Sequence, residues 1–346
     1  MPLIPVIISG GAGSRLWPVS KAGETKPFMH AGSGGSLLQQ AFLRAAALPD
    51  VAEILTVTGH DVWARTMDAY RPVNTLGKKT SFILEPAGRN TAAAVAVAAL
   101  RCRRSHGENS AMLVLPADHL IDDQQAFADA VGHAVAKAQQ GGLVVLGIEP
   151  TSAHTGYGYV DVSARPARFV EKPQLDMAEA FFRSGHHLWN SGISCFTPET
   201  LLREMKEHCP DILDAASRCL EVSPVQELEG SLCVALDHDS FSNVPKNSID
   251  AAVMEKSSSI AVVPCRFGWR DIGSWASVAG LAHRDANGNT GDGNVQFHQS
   301  SNCYVHGNGR MVAVVGLQNI VIIDTPDGLL VSHRDKTEEV KHIASS

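Results

Sequence analysis

The sequence predicts an α/β fold: a mixed, largely parallel sheet flanked by helices, followed by a small β-rich unit. Three observations carry this. Up to about residue 280, short apolar runs alternate with helical periods, the pattern of strands joined by crossover helices. The first apolar run, residues 3–8, breaks into Ser9-Gly10-Gly11-Ala12-Gly13-Ser14. Beyond residue 285 the texture changes to short β runs separated by turns. These observations divide the chain into an α/β domain over 1–285 and a C-terminal domain over 286–346.

The elements follow in order. Residues 3–8 read as a buried strand. The glycines after it let the backbone take φ > 0 and turn its N–H groups toward one point. Arg15 then supplies a guanidinium fork suited to phosphate oxygens, and Lys26 adds a second cation. An anionic, phosphate-bearing ligand suits this stretch; the structural alternative is an ordinary strand–turn–helix corner. Runs 54–58 and 82–84 are short strands. An Ala-rich helix spans 91–104, with a polar start at Asn90 and arginines in its last turn, both favourable to the helix dipole. Run 112–115 is a strand that ends in Pro116-Ala117-Asp118-His119. Residues 124–139 form an amphipathic helix and 143–148 another strand. In such sheets ligands sit at the carboxyl ends of strands, so the glycine loop and Asp118 belong to one edge.

The middle of the chain is richer in polar and aromatic residues. Gly156-Tyr157-Gly158-Tyr159, Phe169-Val170-Glu171-Lys172-Pro173 and Trp189-Asn190-Ser191-Gly192-Ile193 are strands or turns. Helical stretches follow Pro173 and Pro198, and 248–256 is a short helix with a serine start. Asp285-Ala286-Asn287-Gly288-Asn289 is a turn-rich junction. After it, runs 303–305, 311–315, 320–324 and 329–332 recur at a spacing of roughly 8–10 residues, which suggests a small coiled or stacked β unit.

Composition removes several function classes. The net charge of −7 argues against a general nucleic-acid binder, which carries a basic field. The seven cysteines are scattered, odd in number and form no C-x-x-C, so neither a zinc site nor a disulfide framework is indicated. No basic, apolar leader opens the chain, and no apolar run reaches membrane-spanning length. A reducing cytoplasm is the expected setting. His186-His187 reads as solvated surface and Cys195 as packing. No G-x-S-x-G elbow occurs.

Several polar residues carry chemistry, each with a structural alternative. Asp118 and Asp271, the latter in W-R-D-I-G-S-W, offer two carboxylates which, with nucleotide phosphates, suit Mg²⁺; Asp118 is otherwise a turn aspartate, and Asp271 part of tryptophan packing. Lys172 can hold a phosphate and Glu171 can accept from sugar hydroxyls; the alternative is a solvated ion pair. Asn190 suits vicinal hydroxyls or an Asx-turn. Asp250 suits a helix N-terminus. Glu85, Asn90 and Thr91, in Glu85-Pro86-Ala87-Gly88-Arg89-Asn90-Thr91, can face a nucleobase edge or form a capping turn.

The glycine loop separates three known phosphate loops. No Walker A string occurs. A dinucleotide fingerprint needs a third glycine where Leu16 stands, which counts against a dehydrogenase. The sugar-nucleotidyltransferase loop G-G-x-G-x-R-L-x-P fits from Gly10 to Pro18. The ordered set G-G-A-G-S-R-L-W-P (10–18), E-P-A-G-R-N-T-A (85–92), P-A-D-H (116–119), G-Y-G-Y (156–159), F-V-E-K-P (169–173), W-N-S-G-I (189–193), S-I-D-A-A-V-M-E-K (248–256) and W-R-D-I-G-S-W (269–275) resembles the mannose-1-phosphate guanylyltransferase (GDP-mannose pyrophosphorylase) family over nearly the whole chain.

The resemblance implies a Rossmann-like, GT-A-like nucleotidyltransferase domain with a left-handed β-helix-like tail. It implies that Gly10, Gly11, Ala12, Gly13, Ser14 and Arg15 cradle GTP phosphates together with Lys26. Asp118 and Asp271 would bind Mg²⁺. Glu85, Asn90 and Thr91 would lie at guanine. Gly158, Glu171, Asn190 and Asp250 would face mannose, and Lys172 its phosphate. The implied partners are GTP and mannose 1-phosphate, with no nucleic acid, no membrane, and a homodimer as the expected assembly. Two departures are visible. Thr25 stands where a proline usually precedes the lysine. The bifunctional members carry a further phosphomannose isomerase domain that this sequence does not show, so isomerase activity is not expected. The competing expectations are transfer to another hexose 1-phosphate, use of another nucleotide, and a non-catalytic nucleotide-sugar-binding subunit.

Overall fold

The computed structural model describes residues 2–10, 14–20, 25–30, 35–281 and 283–344. Gly11, Ala12 and Gly13 of the glycine loop, and the side chain of Ser14, lie outside the described residues. The chain divides into two compact units that interleave in sequence: Met1–Gly10, Ala41–Ala117 and Ile121–Trp269 form one, and Gly11–Gln40, Asp118–Leu120 and Arg270–Ser346 the other.

The first unit is built on an 11-stranded sheet. Its strands are β1 (Leu3–Ser9), β2 (Ile54–Gly59), β3 (Thr80–Glu85), β4 (Ala111–Pro116), β5 (Leu143–Ile148), β6 (Tyr159–Asp161), β7 (Arg168–Val170), β8 (His187–Phe196), β9 (Val225–Leu228), β10 (Ser231–Ala235) and β11 (Ile260–Cys265). The main path runs β9-β10-β3-β2-β1-β4-β8-β5-β11, and β6 pairs with β7 and β8. The centre is parallel: β1 pairs with β2 and β4 in that sense. The antiparallel share is larger than the strand–helix alternation suggests. The cause is β8, which lies antiparallel to both β4 and β5. Its first residues pair antiparallel with β6, itself the hairpin partner of β7, and the helix Leu175–Ser184 connects β7 to it.

Burial explains the strand sequences. β5, Leu-Val-Val-Leu-Gly-Ile, is buried throughout, as a strand covered on both faces must be. Helix α1 (Asn90–His106) is buried without a break from Ala92 to Cys102; its alanines let neighbouring elements approach on every side. It ends at Gly107, whose φ of 84° a side chain would resist. The helix at Gln124–Ala138 starts on Asp123, which accepts from the Ala126 N–H, and that at Pro198–His208 starts on Thr197, which accepts from Thr200. Both are ordinary N-caps.

In the second unit β12 (Thr290–Asp292), β14 (Tyr304–His306) and β16 (Ile320–Thr325) stack as parallel rungs, and β13 (Val295–His298) stacks on β15 (Val312–Val315). This is a coil with two short faces per turn. The corner between β12 and β13 is tight: a Cβ on Gly291 would stand 2.8 Å from Val295. β17 (Gly328–His333) closes the stack as an antiparallel hairpin on β16. The core of this unit takes in Leu16 and Trp275 alongside Tyr304, Val321, Ile323, Leu330 and Val340. The arm that follows the glycine loop is therefore held by residues from the far end of the chain.

Candidate functional site

β1 and β4 run in parallel, with Ile8 opposite Pro116, and the Ala117 N–H donates to the Ile8 carbonyl at 3.1 Å. The chain thus leaves β1 into Gly10 and leaves β4 into Asp118 from adjacent carboxyl ends, as the sequence pattern requires.

Within the second unit three polar residues converge. The Lys26 ammonium is 2.6 Å from Asp118 Oδ2 and 3.0 Å from Asp271 Oδ1. Lys26 is only 9% exposed and both acids are partly exposed, so these are two close, partly desolvated ion pairs. Burial by itself lowers the Lys26 pKa; the charges of Asp118 and then Asp271 outweigh it and hold the ammonium above its ordinary value. Burial likewise pushes Asp271 up, and Lys26 and His119 reverse that, holding the carboxyl below the usual range. His119 Nε2 lies 3.9 Å from Asp118 Oδ1 and 3.9 Å from Asp271 Oδ1.

Local backbone explains the placement of Lys26. It opens a 3₁₀ turn, Lys26–Phe28, with Pro27 in its first turn, and the Met29 N–H donates to the Lys26 carbonyl. Thr25 is extended, at φ −80° and ψ 155°. A proline would impose nearly the same φ, so the threonine departure leaves the backbone before the lysine in the shape a proline would give it. Arg15, on the short turn Ser14–Leu16, places its Nε 3.1 Å from Glu338 Oε2.

Within the first unit a second group assembles. The Asn190 amide donates to Asp250 Oδ1 at 3.1 Å, and its backbone N–H donates to the Gly158 carbonyl at 2.8 Å. Lys172 donates to Glu171 Oε1 at 2.5 Å. Gly158 faces Glu171 closely: a Cβ there would lie 2.7 Å from Glu171 Oε2. The Glu171 N–H donates to Glu255 Oε1 at 3.1 Å. Burial pushes the Asp250 carboxyl up to about 6, reinforced by the Glu171 charge and opposed by Lys172 and the Asn190 hydrogen bond. Tyr157, Trp189 and Trp269 pack edge to face beside this group.

The 85–91 segment has its own geometry. Burial pushes Glu85 up to about 7, and its Oε1 is buried without a hydrogen-bond partner among the described residues. The Glu85 carboxylate lies 3.8 Å from where a Cβ on Gly10 would stand. Asn90 has φ 65°, and its side-chain oxygen accepts from the Thr91 N–H at 2.8 Å. Thr91 accepts from the Ile249 N–H at 2.9 Å, tying α1 to the segment that carries Asp250. Asn90 thus bonds its immediate neighbour and caps no N–H further into the helix, whose N-cap Arg89 makes no side-chain cap bond, and the Thr91 hydroxyl is occupied by backbone.

The convergent residues are thus Lys26, Asp118 and Asp271 in one unit, and Gly158, Glu171, Lys172, Asn190 and Asp250 in the other. Sequence reasoning passed over His119, Glu255 and Glu338. His119 sits in the quoted P-A-D-H, so adjacency to Asp118 was its signal. Glu255 sits in the quoted M-E-K. Nothing local marks Glu338. Cys195 is buried, with its thiol pushed up to about 12 by desolvation, and His187 stacks on Phe181. Among the described residues no cluster of three or more His, Cys, Asp or Glu is arranged to hold a metal, and no helix is long and apolar enough to cross a membrane. The Asp118–Asp271 pair offers two hard carboxylates. That fits Mg²⁺, which takes few protein oxygens and completes its shell with water and phosphate.

Known proteins agree with this organisation. The nucleotidyl transferase family matches residues 4–287, and the MannoseP isomerase/GMP-like beta-helix domain matches 293–345. The alginate biosynthesis protein AlgA of Pseudomonas aeruginosa is 41% identical over 99% of this chain and 71% of its own length. A mannose-1-phosphate guanylyltransferase of Klebsiella pneumoniae is 38% identical over 98% of this chain and 72% of its own. A solved Thermus thermophilus structure, described as a mannose-1-phosphate geranyltransferase, superposes with a TM-score of 0.84 at 30% identity, over 100% of this chain and 99% of that one. The chain belongs to the nucleotidyl transferase family and carries that family's α/β domain followed by a β-helix-like unit.

Proposed function

We propose that the protein transfers GMP from GTP to α-D-mannose 1-phosphate, giving GDP-mannose and pyrophosphate. The observation that carries this reading is the convergence of Lys26, Asp118 and Asp271, 245 residues apart at the extreme, in a chain similar to mannose-1-phosphate guanylyltransferases along nearly all its length. Residues 1–285 serve as the nucleotidyltransferase domain and 286–346 as the β-helix-like domain.

A phosphate oxygen of mannose 1-phosphate attacks the α-phosphorus of GTP in line, and pyrophosphate leaves. The nucleophile is already an anion, so no general base is needed. The difficulty is repulsion between two polyanions, and cations with fixed positions overcome it. Arg15 and Lys26 bind the triphosphate together with the glycine loop. Lys172 holds the sugar phosphate as a point charge. Asn190 and Glu171 present donor and acceptors to the mannose hydroxyls, and ionised Asp250 accepts from them; Gly158, lacking a side chain, lets the Glu171 carboxylate take its place there. Glu85 and Asn90 face the guanine edge. Asp118 and Asp271 would hold Mg²⁺, which neutralises charge on the transferring phosphate when bound.

The test is incubation with GTP, mannose 1-phosphate and Mg²⁺, with chromatography for GDP-mannose. A parallel panel of ATP, UTP, dTTP and glucose 1-phosphate reads out base and sugar choice. Pyrophosphate release with another pair, and none with GTP and mannose 1-phosphate, overturns the reading.

A further inference from the structure

We propose that the Lys26 ammonium and a divalent cation are alternative occupants of one place, the gap between Asp118 and Asp271, and that exchange between them delivers Lys26 to the nucleotide phosphates. The inference rests on the reading above and extends it to what Lys26 does before it meets phosphate.

The geometry is specific. One ammonium touches both acids, through Asp118 Oδ2 and Asp271 Oδ1, at 2.6 and 3.0 Å. A cation that takes one oxygen from each acid must stand in that same gap. Two cations there would lie within a few ångströms of each other in a desolvated setting, where repulsion is strong. Binding one therefore expels the other. The acids also need a counter-ion, because two neighbouring, partly buried carboxylates without one repel each other. His119, 3.9 Å from both, is too far to replace a direct contact.

Lys26 is built for this exchange. Its backbone is pinned by the Phe28 N–H to Thr25 and the Met29 N–H to Lys26 bonds, and Pro27 stiffens the turn. The four-carbon stem keeps its rotatable bonds, so the head can swing while its root stays fixed. Its three rotatable donors suit a phosphate as well as a carboxylate. One side chain thus acts first as a counter-ion and then as a phosphate ligand.

The full chain tests this by Mn²⁺ binding, followed by electron paramagnetic resonance, and by thermal melts, all without nucleotide. Lys26→Met and Lys26→Gln are compared with wild type and with Lys137→Met, an exposed lysine on the 124–138 helix. The expected result is Mn²⁺ bound roughly tenfold or more tighter by both Lys26 variants. Their Tm falls in metal-free buffer and rises by about 3 °C or more with Mn²⁺, while Lys137→Met follows wild type. Adding Asp118→Asn to Lys26→Met abolishes the gain. Lys26 variants that bind Mn²⁺ no better than wild type overturn the proposal. So do variants that fail to fold with and without Mn²⁺, since the metal then cannot replace the ammonium. A wild type that forms GDP-mannose beside variants that gain no Mn²⁺ affinity defeats the exchange alone. Tighter Mn²⁺ binding beside a wild type that forms no GDP-mannose defeats only the functional reading.

Discussion

The indole N–H of Trp275 donates to the backbone carbonyl of Trp17 at 2.9 Å, across 258 residues of chain. Trp275 is fully buried, in the core that also holds Leu16, Val321, Ile323, Leu330 and Val340. The arm behind the glycine loop is thus fastened to the β-helix-like unit by both packing and a hydrogen bond. Trp275→Phe keeps most of the packing and orphans the carbonyl, so it is expected to cost about 1–3 kcal/mol. Trp275→Ala also opens a cavity and is expected to cost about 3–5 kcal/mol. Urea melts followed by circular dichroism measure both. Equal costs for the two variants would show that packing contributes nothing beyond the hydrogen bond.

Gly158→Ala is expected to impair sugar-phosphate use specifically. The new Cβ would stand 2.7 Å from Glu171 Oε2 and 3.1 Å from Phe169, so the Glu171 carboxylate must shift. Steady-state kinetics are expected to show the KM for mannose 1-phosphate raised roughly tenfold, the loss of one well-placed hydrogen bond, with the KM for GTP unchanged. A normal KM for the sugar phosphate would remove Gly158 and Glu171 from the mannose site.

Lys172→Ala is expected to act on the same substrate without touching stability. Its pair with Glu171 is half exposed, and such pairs hold little folding energy. A charge-assisted bond to phosphate is worth about 1.5–3 kcal/mol, so the KM for mannose 1-phosphate should rise by about ten- to a hundredfold at unchanged Tm. A large fall in Tm would mark Lys172, whose φ is 41°, as a structural residue instead.

Asp250 makes stability depend on pH. Its folded pKa is raised from 3.8 to about 6, by burial first and Glu171 second. Between those values the folded state binds more protons than the unfolded one, so stability falls as pH rises from about 4 to about 6 and is level above. The full penalty is about 3 kcal/mol. Asp250→Asn removes the charge, keeps a polar partner for Asn190, and should be more stable than wild type at pH 7.5 but nearly equal at pH 4. Denaturant melts at both pH values decide it; a gap independent of pH would refute the assignment. Because the ionised carboxylate accepts from sugar hydroxyls, mannose 1-phosphate affinity should also climb through about pH 6.

Much of this was legible before folding because its causes are local. Apolar runs bounded by turns mark β1, β4 and β5 whatever surrounds them. The glycine cluster between a strand and an arginine stands out through backbone freedom and charge alone, although residues 11–13 lie outside those described. Gly156-Tyr157-Gly158-Tyr159 and Trp189-Asn190-Ser191-Gly192-Ile193 stood out in the same way, and Asn190 does meet Gly158 and Asp250. The antiparallel insertion of β8 was less visible, because strand composition is blind to the direction of a neighbour.

The sequence by itself determined which groups are present, their charges, and which turns can hold them, since rotamers, φ preferences and burial runs act within a few residues. Only the tertiary structure decided that Lys26 lies between Asp118 and Asp271, that Arg15 meets Glu338, and that Trp17 and Leu16 belong to the core of the β-helix-like unit. Those contacts join segments more than ninety residues apart, and they exist because packing a shared core fixes backbones that no local preference could bring together.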